Sequence, residues 1–178
     1  MTPEELQDLV RDLKRSPLYR PTGMAHAVDY RLQHLCSILP HRPPFLLIDG
    51  IDALDLMDRS ISGHRTIQAN DPVLAGNLPG SPTYPGALQV EMMGQIGLAL
   101  MHFMKRGTHH VRADARPVRG RIMRILHAAY LAPLGPGARV RVHARLVEQE
   151  ALTAVVAGQL LENGSVVALA VQEYHLAG

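Results

Sequence analysis

Asn77 and Glu91 frame the stretch of this chain with the most chemistry in it. Glu91 is a lone acid near the start of an apolar run that holds Leu88, Val90, Met92, Met93 and Ile96. A carboxylate among such neighbours costs free energy unless it is paired or used. Asn77 stands upstream in Ala75-Gly76-Asn77-Leu78-Pro79-Gly80-Ser81-Pro82-Thr83-Tyr84-Pro85-Gly86. A carboxylate can move a proton. An amide can hold and orient a partner but is no base at any accessible pH.

The elements that must position these groups follow from pattern. Residues 87–105 read as a helix that is apolar on nearly every side, so other structure must enclose it. Lys105-Arg106-Gly107 ends it, with cations at the negative end of the dipole and a glycine cap. Residues 71–86 read as a Pro/Gly loop feeding that helix. Phe45-Leu46-Leu47-Ile48-Asp49-Gly50-Ile51, set off by Pro43-Pro44, reads as a buried strand, and 59–68 as a weaker one. Residues 139–146 alternate strictly, which puts Val140, Val142, Ala144 and Leu146 on one face. Asn163-Gly164 between 153–161 and 165–174 is a two-residue hairpin signal. A curved antiparallel sheet wrapped around one long helix satisfies this order, an α+β class.

The first part of the chain reads differently. Thr2-Pro3 with Glu5 is an N-cap, a proline at the first helical position and a capping box, and Leu6, Leu9, Val10 and Leu13 recur at helical spacing. A helix is expected over 3–15, an irregular linker over 16–30 and a short helical turn near 30–39. The division expected is an N-terminal helical extension over 1–33 and one domain over 34–178. Of the 178 residues, 47% are hydrophobic and 19% charged, which suits a globular chain with a sizeable core. A formal net charge of +2 is too small to imply nucleic acid. One cysteine excludes an intramolecular disulfide and fits a cytoplasmic protein. No metal site is implied, and no apolar run is long enough to span a membrane.

The architecture and two motifs resemble the hotdog-fold 3-hydroxyacyl-[acyl-carrier-protein] dehydratases. Leu39-Pro40-His41-Arg42-Pro43-Pro44-Phe45-Leu46-Leu47-Ile48-Asp49 is similar to the opening motif of that family, and the loop with its helix is similar to the family's active-site motif. The turn Pro133-Leu134-Gly135-Pro136-Gly137 also matches. The likeness covers about 34–175. It implies an enzyme of fatty-acid or polyketide-type biosynthesis that removes water from an acyl thioester. A histidine would take the alpha proton, a glutamate from the partner subunit's helix would protonate the leaving hydroxyl, and a helix-start amide would polarise the carbonyl.

By that resemblance Glu91 matches the acid and Gly86 the amide, while Leu78, Pro79, Tyr84, Pro85 and Gln95 fall among substrate contacts. The base position, however, holds Asn77. Losing a general base typically costs about two to four powers of ten in rate. Three readings stay open: a dehydratase-like enzyme with altered chemistry, a thioesterase using Glu91, Asn77 and the Gly86 amide, and a non-catalytic subunit of a dehydratase heterodimer. No other histidine has the motif's spacing. His41 is read as structural, His102 as a satisfied core histidine, and His109 and His110 as solvent-exposed; the facing of His64 is open.

The resemblance further implies a substrate carried on the phosphopantetheine of an acyl carrier protein or on CoA, with no dissociable cofactor. It implies a homodimer or higher homo-oligomer, or a heterodimer. An arginine-rich run, Arg112, Arg116, Arg119, Arg121 and Arg124, could receive an acidic carrier. A tunnel lined by Leu, Val and Met is expected beside the helix, while Met92, Met93, Met101 and Met104 individually read as core.

Overall fold

The computed structural model describes residues 1–176. The elements in chain order are α1 (Pro3–Arg15), β1 (His26–Tyr30), α2 (Leu32–Ile38), β2 (Gly50–Asp55), β3 (Ser60–Thr66), α3 (Pro72–Gly76), α4 (Gly86–Arg106), β4 (Gly120–Tyr130), β5 (Arg139–Gln149), β6 (Thr153–Glu162) and β7 (Ser165–Leu176). The seven strands form one antiparallel sheet in the order β1-β2-β3-β5-β6-β7-β4. The sheet packs around α4, as expected of a hotdog fold.

Helix α4 is enclosed because it is apolar all round: Met92, Met93, Ile96, Ala99, Leu100 and Phe103 are fully buried. Its glycines let the sheet come close. A Cβ on Gly97 would lie 2.5 Å from the Tyr174 hydroxyl oxygen, and that hydroxyl donates to the Gly94 carbonyl at 3.0 Å. Gly107 closes the helix in the left-handed region at φ 60°.

Strands β6 and β7 are apolar on both faces because both are covered. Val156, Leu160, Ala168 and Ala170 face the α4 core, and the alternate residues Val155, Ala157, Leu169 and Val171 meet α1 through Val10 and Leu13. The predicted capping box starts α1: Thr2 Oγ1 accepts from the Glu5 N–H at 3.2 Å, and Glu5 Oε2 accepts from the Thr2 N–H at 2.6 Å. Buried Gln159 then ties the end of α1 to the sheet, donating to Leu13 O and Ser16 O and accepting from Leu18 N–H. The hairpin falls where Asn163-Gly164 predicts it, with φ of 50° and 82°.

Three local expectations need correction. The linker 16–30 contains β1, an edge strand of mostly exposed residues whose short polar pattern carries no periodicity to read. The loop 71–86 contains the single turn α3, started by Pro72 and capped by Asp71, whose side chain accepts from Val73 N–H. The apolar run 45–51 is mostly not strand: β2 begins at Gly50. Residues Leu46, Leu47 and Ile48 are buried as expected, but a side chain, Gln95, takes the place of a strand partner there.

Candidate active site

The site is built where the opening motif crosses the first turns of α4. Gln95 is fully buried and makes three contacts at once. Its Nε2 donates to Phe45 O at 2.8 Å and to Glu91 Oε1 at 2.9 Å, and its Oε1 accepts from Leu47 N–H at 2.8 Å. Glu91 and Gln95 are four apart, so they share one face of the helix. The Glu91 side chain is 25% exposed, and its Oε1 lies 3.6 Å from His41 Nε2. The one lone acid of the helix is therefore both partnered and accessible.

His41 is held by its neighbours. Arg42 turns back to donate to the carbonyls of Leu39 and His41 at 2.8 and 2.7 Å, and the N–H groups of Phe45 and Leu46 close on Arg42 O. The Phe45 ring stands 5.8 Å from the imidazole, centroid to centroid. Burial holds the His41 pKa below its ordinary value; the Glu91 carboxylate acts the other way, and Arg42 adds to the lowering.

The loop half of the site is closed on itself. Asn77 caps the end of α3, and its Nδ2 donates to Thr83 O at 2.6 Å. Ser81 N–H bonds Leu78 O, and Thr83 Oγ1 donates to Ser81 O. Among the described residues Asn77 makes no hydrogen bond to Glu91, and its Oδ1 accepts none. Leu78 and Pro79 are exposed, Leu78 at 61% and at a φ of 53° that L side chains rarely adopt. Tyr84 is buried, tied by its N–H to Leu134 O at 2.7 Å and by its carbonyl to Gln89 Nε2 at 2.9 Å. Pro85 is the N-cap of α4 and Gly86 its first residue. The Tyr130 ring lies over Gly86, where a Cβ would stand 2.6 Å from Tyr130 Cζ.

A cavity of about 710 Å³ opens beside this crossing, with Phe45, Leu46, Leu47, Tyr84 and Leu88 on its apolar side. Arg65 and Asp49 pair at 2.8 Å on its polar side. The expected tunnel beside the helix thus has an apolar counterpart, but no methionine lines it; Met92, Met93 and Met101 are core. Of the expected substrate contacts only Tyr84 faces this cavity; Leu78, Pro79, Pro85 and Gln95 do not line it.

Several histidine expectations change. His102 is fully buried, and its ring makes no well-formed hydrogen bond among the described residues; the Arg116 backbone beside it favours its protonated form, against burial. His109 is half-buried and stacks on His26 at 3.7 Å, while His110 is exposed. His64 is held between Asp52 and Arg31. His41 is the histidine that reaches Glu91, which sequence reasoning missed; its place in the opening motif was visible, but not the crossing that sets it beside residue 91.

The profile of the FabA-like domain matches residues 39–171. The chain belongs to that family, the hotdog-fold 3-hydroxyacyl-acyl-carrier-protein dehydratases. The dehydratase FabZ of Methylobacterium radiotolerans is 34% identical over 138 residues, which cover 77% of this chain and 83% of that one. Among solved structures, the dehydratase heterocomplex ApeI:P from Xenorhabdus doucetiae superimposes with a TM-score of 0.62 at 19% identity, covering 81% of this chain and 91% of that one. A hypothetical thioesterase from Streptococcus pneumoniae, solved with coenzyme A, gives 0.52 at 15% identity, covering 68% and 80%. Both structures share the fold with this chain. The family match begins at Leu39, so α1, β1 and α2 lie outside it. No helix among the described residues is long and apolar enough to cross a membrane.

Proposed function

We propose that this chain acts on acyl thioesters carried by phosphopantetheine, as a dehydratase-type lyase whose proton chemistry runs through Glu91 rather than through a loop base. The observation that carries this is Glu91 itself: a carboxylate on a buried helix, fixed by Gln95 at 2.9 Å, facing an imidazole and open to solvent. The Gly86 N–H at the helix start is the donor proposed for the thioester carbonyl, where negative charge gathers as the alpha proton leaves. Asn77 orients and does not deprotonate.

A thioesterase is the second reading, and one feature favours it. With Asn77 Nδ2 spent on Thr83 O, the free Oδ1 is an acceptor able to hold a water for attack on the carbonyl.

The proposed assembly is a dimer across β4. That strand is at the edge of the sheet and exposes Met123, Ile125 and Tyr130, a surface that leaves ladder groups and apolar side chains unpaired. Arg116, Arg119 and Arg121 are exposed and make no ion pair among the described residues, so they are the proposed contact for an acidic carrier. Arg124 is less available, because its Nε donates to Glu173 at 2.7 Å; Arg112 pairs with Asp114.

The test offers the purified protein 3-hydroxyacyl, 2-enoyl and saturated thioesters of carrier protein and of CoA, following enoyl absorbance and thiol release together. Interconversion of hydroxyacyl and enoyl forms, lost in Glu91→Gln and raised about 10²- to 10⁴-fold in Asn77→His, supports the lyase. Thiol release abolished by Glu91→Gln sinks it in favour of the hydrolase. If neither product forms, co-expression with a second hotdog chain that carries a loop histidine tests a shared heterodimeric site.

A further inference from the structure

We propose that His41 is the intrachain proton partner of Glu91, exchanging a proton between its Nε2 and Glu91 Oε1 in a site whose loop supplies no imidazole. The inference rests on the reading of Glu91 as the reactive carboxylate. His41 Nε2 stands 3.6 Å from Glu91 Oε1, inside ion-pair range and a few tenths of an ångström beyond a hydrogen bond. Such contacts in unliganded sites are often long and tighten when substrate binds.

Three further features support the pair. The other ring nitrogen, Nδ1, is buried with no partner, so no competing protein hydrogen bond fixes the tautomer or turns Nε2 away. Gln95 bonds the same oxygen, Oε1, and is itself anchored to Phe45 and Leu47, so the motif that carries His41 also aims Glu91. The groups facing the imidazole are few: Glu91 from α4, Arg42 from its own segment, and the Phe45 ring. The buried histidines stand away from Glu91. His102 lies deep in α4 and His143 lies beneath Tyr19 on the other face of the sheet.

In the step proposed, Glu91, once it has taken a proton from substrate, passes it from Oε1 to Nε2 of the neutral His41 ring, leaving a carboxylate and an imidazolium; the reverse restores the neutral ring and the carboxylic acid. His41 acts through Glu91 and is a positioning residue. Burial favours the neutral ring, whose Nε2 lone pair faces Glu91 and can take that proton.

The experiment follows the ring carbon resonances of His41 by NMR across pH in the parent protein, Glu91→Gln and Glu91→Asp. Removing a carboxylate at this range should lower the His41 midpoint by about one pH unit. Glu91→Asp, with the charge drawn back by one methylene, should fall between. His41→Gln should also move the acid limb of the kcat/KM profile while KM changes little, which a merely packed histidine would not do. A His41 midpoint that stays put in both Glu91 variants overturns the proposal, whatever the activity. The NMR readout needs no turnover: an inert protein whose His41 responds to Glu91 disproves the proposed reaction but not the pair.

Discussion

Replacing Gln95 by leucine tests whether one side chain holds the opening motif to α4 and aims Glu91. The two residues are similar in volume, so the change removes hydrogen bonds and leaves little cavity. Leu47 N–H is buried and loses its acceptor; an unpaired buried donor costs about 1–3 kcal/mol. Phe45 O is only partly buried, so water offsets part of its loss, leaving about 1 kcal/mol. The bond to Glu91 is charge-assisted but only part-buried, and adds about 1 kcal/mol or less. The total is about 2–5 kcal/mol, a large share of the ~5–15 kcal/mol that stabilises a typical domain. At about 2–4 °C per kcal/mol for a chain of this size, Tm should fall by about 4–20 °C. Chemical denaturation and a thermal melt read the change. In folded Gln95→Leu protein, kcat/KM should drop about tenfold, the equivalent of about 1.4 kcal/mol of lost positioning. Gln95→Glu is the control: it keeps an acceptor for Leu47 N–H but sets a second carboxylate beside Glu91. A Gln95→Leu protein within about 0.5 kcal/mol of the parent would refute the view that this amide substitutes for a strand partner.

Two further outcomes follow from the core. Burial pushes the pKa values of His102 and His143 down to about 4, with the charges of Arg106 and Arg141 respectively acting in the same direction. Unfolded histidines titrate near 6.5, so the unfolded chain binds more protons between about pH 6.5 and 4, and stability must fall as pH drops through that window, by at most about 1.4 kcal/mol per pH unit for each ring. Urea titrations at several pH values check this; His102→Leu should remove its share of the slope, and a flat profile would show that these rings are not held neutral. Gly97→Ala should cost about 1–3 kcal/mol, because its Cβ would stand 2.5 Å from the Tyr174 hydroxyl oxygen and 3.2 Å from Val156 Cγ1. Tyr174→Phe in the same chain removes the closest of these atoms, and equilibrium denaturation should recover part of the loss; no recovery would place the strain elsewhere.

The parts of this fold that were legible in the sequence are those whose signals are local. Helix α4 announces itself by apolar residues on every side and by Gly107, and the β6–β7 hairpin by Asn163-Gly164. Strand β5 shows its alternation, although His143 on the other face is also buried, because Tyr19 covers it. What stayed hidden depends on distant partners. Residues 45–49 have the composition of a strand, yet Phe45 O and Leu47 N–H bond a glutamine side chain 50 and 48 positions away. Nothing in the spacing of β1 marks it as an edge, since its residues are mostly exposed and only pairing with β2 defines it. In the site, Glu91 stood out because a charge on an apolar helix is costly, and Gln95 came through the family motif. His41 was read as structural because its ring meets Glu91 only through the crossing of the motif over the helix.

The two halves of the site rest on separate supports, and this bears on what a histidine at residue 77 would do. Glu91, Gln95 and His41 depend on α4 and on the motif from Leu39 to Leu47, so a change at residue 77 leaves their geometry intact. Asn77 depends on α3 and on the closed turn to Thr83, and its side chain stabilises that turn by donating to a carbonyl. A histidine there would give up this amide contact in exchange for a base. Asparagine at residue 77 therefore suits the closed turn, and the carboxylate half rests on other elements. Exposed Leu78 on this loop and exposed Met123 and Ile125 on β4 are the surfaces that a second chain would meet in the proposed assembly. In the proposed assembly, whether that second chain brings another asparagine or a histidine decides between altered chemistry in a homodimer and ordinary dehydration in a heterodimer, and co-expression with a chain that carries a loop histidine separates the two.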